Sequence, residues 1–205
     1  KLESKINNNF VHSKKSKISV VRIACTEKDL SKLKKVTRIL ISKGYNFTVN
    51  LMQFTTLPIN RIFLFLNSCL KLGAEYAYIA DSFGNCTPKK INLISNYLKK
   101  KKIQLNKIGF HAHDNTGCAL KNSLAAIHNG FGIVDTSVMG MGRGAGNLDL
   151  INYLNFQGLN KEKKIVGIFS NKFMKNLKKK YKWGKNGFYN FSAKNNIHPT
   201  FVQRM

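Results

Sequence analysis

The sequence predicts an α/β protein with a parallel sheet and helical crossovers. Three observations carry this. Five short apolar, often β-branched runs punctuate the chain. Helical segments follow the first four of them. The unit recurs at a spacing of roughly 30 residues, which suits strand–helix repeats and not hairpins. Two architectures fit, a doubly wound open sheet or part of a (β/α)8 barrel, and periodicity alone does not separate them.

Residues 1–16 (KLESKINNNFVHSKKS) are polar, basic and without period, and are expected as a leader or frayed terminus. Ile18 to Cys25 (ISVVRIAC) reads as a buried strand. Thr26, standing before Glu27, Lys28 and Asp29, opens a helix in N-cap style. Leu33, Val36, Ile39 and Leu40 give that helix its stripe, and Gly44 ends it. The unit recurs with Asn46 to Met52 as strand, then Ile62, Phe63, Leu66 and Leu70 as helix, closed by Gly73. Tyr76 to Ala80 is the third strand, running into Asp81, Ser82, Phe83 and Gly84. Thr87 and Pro88 open the third helix as N-cap and first helical residue.

The fourth strand begins at Ile108 and delivers His111 and His113 at its end; Ala119, Leu120, Leu124, Ala125 and Ile127 mark the helix after it. Ile133 begins the fifth strand, which leads into the loop GMGRGAGN from Gly140 to Asn147. The repeating part occupies 17–155, and 156–205 reads as a helical extension. In it Lys161 to Tyr181 is basic and helical, with Ile165, Ile168, Phe169, Phe173 and Leu177 on one face.

The bulk numbers exclude several classes. The chain has 205 residues, 43% hydrophobic, with 15 Gly and 3 Pro, which is globular composition. No apolar run approaches the roughly 18 residues a membrane span needs. The sequence begins at Lys1 and shows no signal-peptide layout, so a piece of a longer, cytoplasmic protein is expected. Cys25, Cys69, Cys86 and Cys118 show no CxxC spacing and read as free thiols in a reducing compartment. The charge is lopsided: 35 Lys and Arg against 9 Asp and Glu, a formal +26. A polyanion partner is one reading. Clusters such as Lys99 to Lys102 and Lys178 to Lys180 lack a nucleic-acid motif, so lysines on solvated helix faces are the expectation.

The chemistry gathers where parallel strands end. Residues two apart in a strand point the same way, so His111 and His113 can reach one metal ion. Neutral imidazoles suit Zn, Mn, Fe or Co, and a carboxylate companion shifts the preference toward Mn or Mg. Thr26, Asp81 and Ser82 share that edge, as turn residues or as substrate-binding ones. Gly142, Gly144 and Gly146 permit close backbone approach and N–H presentation to a carboxylate or phosphate. His128 and His198 read as structural.

HAHDNTG, the NSLAAIHNG helix and VDTSVMGMGRGAGN together closely resemble the DRE-TIM metallolyases, the HMG-CoA lyase-like superfamily. That superfamily includes 3-hydroxy-3-methylglutaryl-CoA lyase, isopropylmalate synthase and 4-hydroxy-2-oxovalerate aldolase, and the last is the nearest in pattern. The resemblance implies a (β/α)8 barrel, here about strands four to eight, followed by the start of a small helical domain. It implies a divalent metal, Mn2+ foremost with Mg2+, Zn2+ or Co2+ as alternatives, held by His111 and His113 with support from Asn147. It further implies a substrate contact from Ser82, beside Asp81 and Thr26 as substrate-binding candidates from their place at the strand ends, and an aromatic residue, Tyr189, reaching the site from the helical part. The family's carboxylate ligand and catalytic arginine come from its first strand and have no counterpart here. The implied reaction cleaves a 4-hydroxy-2-oxo acid to pyruvate and an aldehyde through a metal-stabilised enolate. Alternatives are an acyl-CoA-dependent condensing enzyme, a non-catalytic fragment or a basic nucleic-acid-binding protein. A small 2-oxo acid is the expected ligand, and an incomplete barrel's open edges predict a homo-oligomer or partner subunit.

Overall fold

The computed structural model describes residues 2–204. Strands β1 (Val20–Cys25), β2 (Asn46–Met52), β3 (Ala77–Asp81), β4 (Ile108–Ala112) and β5 (Ile133–Val134) pair in parallel, in chain order. A doubly wound sheet reverses its order partway; this one never does. Right-handed crossovers taken always in one direction put the helices on one side of the sheet. The result is an arc of a (β/α)8 barrel. Before it lies α1 (Leu2–Asn9), and the crossovers are α2 (Leu30–Ser42), α3 (Ile59–Lys71), α4 (Pro88–Lys100) and α5 (Ala119–His128).

The two faces of the sheet differ in chemistry, and alternation along each strand is the cause. Phe47, Val49, Leu51, Ile79, Ile108 and Phe110 point toward the helices and are buried in one apolar cluster. Full burial of such a side chain contributes roughly 1.5–3 kcal/mol relative to exposure, so this layer holds the fold together. The opposite, concave face carries Arg22, Asn50, Tyr78, Gly109 and His111. A Cβ on Gly109 would lie 2.4 Å from Tyr78 Cδ1, so glycine there lets the Tyr78 ring lie flat across β4. Arg22 in turn stacks on that ring at 4.0 Å from its centroid.

Several boundaries differ from expectation. Ile18 and Ser19 stay outside the sheet, because the register begins with Val20 opposite Asn46. The stretch expected as a leader or frayed terminus is docked where it is described, at Phe10 and Val11. Phe10 packs edge-on against Tyr45 at 5.6 Å, Tyr45 donates its hydroxyl to the Val11 carbonyl at 2.9 Å, and Lys43 Nζ donates to the Phe10 carbonyl at 2.7 Å. An apolar residue every few positions, hidden in a lysine- and asparagine-rich stretch, is enough to dock it.

Beyond the arc come α6 (Leu150–Phe156), α7 (Asn160–Phe169), α8 (Lys175–Tyr181), α9 (Gly187–Lys194) and α10 (Pro199–Val202). The single helix expected over Lys161 to Tyr181 is interrupted by a π-helical turn at 170–174. That turn buries Ser170 and Met174, and it leaves Ile165, Ile168, Phe169, Phe173 and Leu177 exposed. Trp183 Nε1 donates to the Met139 carbonyl at 3.0 Å and ties this part to the glycine loop. Among the described residues no helix is long and apolar enough to cross a membrane, and none of the four cysteines is paired.

Candidate active site

A cavity of about 360 Å³ opens at the carboxyl ends of the strands. Ala24, Asn50, Ala80, Ser82, His111 and His113 form its floor. Asn147 lies beside the imidazoles, and Gly142, Arg143, His198 and Pro199 close over them.

His111 and His113 come from one face of β4 and its end, with ring centroids 5.1 Å apart. His111 Nδ1 lies 2.7 Å from Asp135 Oδ2, so its other nitrogen is the one presented to the cavity. The same Asp135 oxygen accepts from Arg22 Nη2 at 2.5 Å, a bond that crosses the concave face from β1 to the end of β5. Burial pushes the Asp135 carboxyl up, but the hydrogen bonds and charges of His111 and Arg22 outweigh it and hold it below the usual range. His113 is pushed down to about 4, first by burial and then by the neighbouring His111, against a hydrogen bond with the Arg143 backbone. It is a neutral imidazole at pH 7, and its Nδ1 is buried without a partner.

Asn147 pairs with His113 through an isolated antiparallel bridge. Its amide donates to the Met141 carbonyl at 3.0 Å, while its Oδ1 is buried and unpartnered. A Cβ on Gly142 would stand 2.6 Å from that oxygen, so glycine at 142 makes the room Asn147 occupies. Ser82 Oγ accepts the Gln53 N–H at 2.9 Å and lines the floor, with its own proton facing only a long 3.5 Å contact to the Ala80 carbonyl.

Other candidates go elsewhere. Thr26 is outside this cavity: its hydroxyl donates to Asp29 Oδ2 at 2.6 Å and its N–H to the same oxygen at 3.1 Å, a capping box that consumes both. Asp81 is fully buried, its carboxylate accepting the Asn85 and Cys86 N–H groups at 3.1 and 3.0 Å, so it ties the turn after β3 and does not line the cavity. Tyr189 is buried behind Gly144, where its ring would stand 3.4 Å from a Cβ, and does not line the cavity. Gly144 and Gly146 shape the loop from behind, and the Gly146 and Asn147 N–H groups are spent on the Arg143 and Gly140 carbonyls. His198, expected as structural, lines the cavity. Arg22, Asp135, Arg143 and His198 are the members that sequence reasoning missed.

The buried Asp81 makes a prediction. Burial, only partly offset by N–H groups from Cys86 and Asn85, pushes its carboxyl up to about 7. Below about pH 4 both folded and unfolded chains hold the proton. Between about 4 and 7 only the folded chain keeps it, so the stability it contributes is lost as pH rises through that window, on the order of 4 kcal/mol. Asp81→Asn is expected to flatten the pH dependence of urea unfolding between pH 4 and 7 relative to wild type. Parallel curves for the two proteins would refute the assignment.

An arc of parallel strands with imidazoles, an amide and a glycine loop at the strand ends defines a TIM-barrel-like protein with a polar cavity at its strand ends. The chain belongs to the HMGL-like family, whose model matches residues 6–164. It is 34% identical to the 4-hydroxy-2-oxovalerate aldolase of Stutzerimonas stutzeri over 137 residues, 65% of this chain and 38% of that protein. With the protein of the same name from Geobacillus genomosp. 3 it shares 45% identity over 75 residues, 37% of this chain and 22% of that one. The chain thus spans less than half the length of these relatives. Among solved structures, the N-terminal domain of a candidate aldolase from Bacteroides vulgatus superposes with a TM-score of 0.77 at 29% identity, covering 96% of this chain and 69% of the other. The HMG-CoA lyase of Bacillus subtilis shares the fold, with a TM-score of 0.64 at 18% identity over 71% of this chain and 57% of that one.

Proposed function

We propose that the protein acts as a divalent-metal-dependent aldolase that cleaves 4-hydroxy-2-oxo acids to pyruvate and an aldehyde. One observation carries the reading: His113 Nδ1 and Asn147 Oδ1 are buried without partners beside a His111 oriented by Asp135. Orphaned buried acceptors of this kind are costly unless something occupies them. His111, His113 and Asn147 would hold the ion, with Mn2+ put first by the family resemblance and Mg2+, Zn2+ or Co2+ as alternatives. Among the described residues no third His, Cys, Asp or Glu joins the pair. When bound, the ion supplies Lewis acidity toward the carbonyl of a 2-oxo acid.

The chain's own groups favour the same substrate. Among the described residues no carboxylate lines the cavity, and Arg143 adds a permanent positive charge, so an anion is drawn in. Ser82 keeps a hydroxyl proton to donate to the substrate's carboxylate. Unpaired thiols fit a cytoplasmic setting. The exposed concave face of β1, with Val20, Arg22 and Ala24 accessible, favours a second copy or another polypeptide along that edge.

The direct test is pyruvate release from 4-hydroxy-2-oxovalerate, with Mn2+ and with a chelator. Release that needs Mn2+ and falls at least a hundredfold in His113→Ala is expected. No release from this or any other 4-hydroxy-2-oxo acid by a folded, Mn2+-loaded chain would overturn the reading.

A further inference from the structure

The roof of the cavity is chemically unlike its floor. The floor, at the strand ends, carries the imidazoles, Asn147 beside them and Ser82. The roof is the Gly142–Arg143 turn and the corner at His198 that begins α10. His198 caps that helix: its Nδ1 accepts the Thr200 N–H at 3.3 Å. With Nδ1 engaged as acceptor, the neutral ring carries its proton on Nε2 and offers it as a donor. Among the described residues Arg143 forms no ion pair with an Asp or Glu. Its charge reaches both His113 and His198, adding to burial in disfavouring their protonated forms. The roof therefore presents a guanidinium and an imidazole N–H, with no acidic side chain to satisfy either.

We infer that the distal end of the substrate carries a second carboxylate, held by Arg143 and His198, so that the substrate class is a short 4-hydroxy-2-oxo dicarboxylate. This rests on the aldolase reading, in which the 2-oxo acid end lies on the floor. An alkyl tail, such as the methyl group that ends 4-hydroxy-2-oxovalerate, would leave the donors of the roof unmatched. A carboxylate there forms a charge-assisted, two-pronged pair with the guanidinium. Sites built around unmatched donors discriminate strongly against ligands that lack the acceptor. The volume of about 360 Å³ is sufficient for a short diacid.

The test compares two five-carbon 2-oxo acids that cannot be cleaved, 2-oxoglutarate and 2-oxovalerate, by calorimetric titration into the Mn2+-loaded chain. 2-Oxoglutarate is expected to bind at least about tenfold more tightly. Arg143→Gln is expected to bring it down to the affinity of 2-oxovalerate, and His198→Gln to remove part of the preference. Arg143 is exposed, so its variant keeps the fold. A preference arising from the overall charge of +26 would survive the loss of one cation, so the variant separates the two causes. Equal binding of the two acids, or a preference that persists in Arg143→Gln, overturns this inference and leaves the aldolase reading standing. Failure of both acids to bind overturns the aldolase reading itself.

Discussion

Mn2+ titrated into the chain is expected to bind at a single site, and the His111→Ala/His113→Ala double variant is expected to lose that binding. The argument is one of unpaired atoms. His113 is neutral with its Nδ1 buried and unmatched, and Asn147 Oδ1 is buried and unmatched across the isolated bridge that pairs the two residues. Removing both imidazoles leaves one amide oxygen, which is no site for a divalent ion. Asp135→Asn grades the effect. It leaves His111 in place and takes away the charge that orients it, and such supporting carboxylates are worth roughly 10- to 100-fold in metal affinity. The same substitution breaks the Arg22–Asp135 pair, but the Arg22 side chain is 37% exposed, so stability should shift by only about 1 kcal/mol. A large loss of Mn2+ affinity with a small change in the urea midpoint is therefore the expected signature. Mn2+ binding that survives the double variant would place the metal elsewhere.

Much of this arrangement was legible in the sequence, and the reasons it was differ from residue to residue. Phe47, Val49 and Leu51 announce β2 because alternate positions are buried against helices, and that pressure writes itself into composition. His111 and His113 were legible because strand spacing of two is strict. The barrel was not legible from periodicity, since strand order is a spatial property that a repeat does not encode. Thr26 and Asp81 misled for a physical reason: polar residues at strand ends serve equally as caps, and both satisfy themselves within five residues. Asp135 carried a signal that went unused. It stands two residues after Ile133, hence on the same face, and continuing the register of Phe110 with Val134 sets it opposite His111. Arg22, a lone charge inside ISVVRIAC, carried the same signal. His198 carried none, because it reaches the cavity from 85 residues beyond His113 through the packing of short helices.

Gly146→Ala is expected to be the most damaging single substitution in the loop, at about 2–5 kcal/mol. Gly146 sits at φ +95, where an L-residue is strained by roughly 1–2 kcal/mol. A Cβ there would also lie 2.2 Å from the Gly140 carbonyl oxygen. That atom is backbone and cannot swing away, and it already accepts the Asn147 N–H at 2.9 Å. Overlap of this kind adds roughly 1–3 kcal/mol. Relief requires the loop to open, which breaks the Asn147 bond and the 2.8 Å bond from the Asp114 N–H to the Gly146 carbonyl. Both bonds frame His113, so Mn2+ affinity should fall together with stability. Gly158→Ala is the control: its φ is +70, yet nothing lies within 4 Å of its Cβ position, so backbone strain of about 1 kcal/mol is all it should cost. The comparison isolates what the glycine at 146 provides, which is room for a carbonyl more than freedom of φ. Equal urea midpoints for the two variants would show that the loop tolerates the methyl group, and the close approach of Gly140 to Gly146 would then have no part in holding Asn147 against His113.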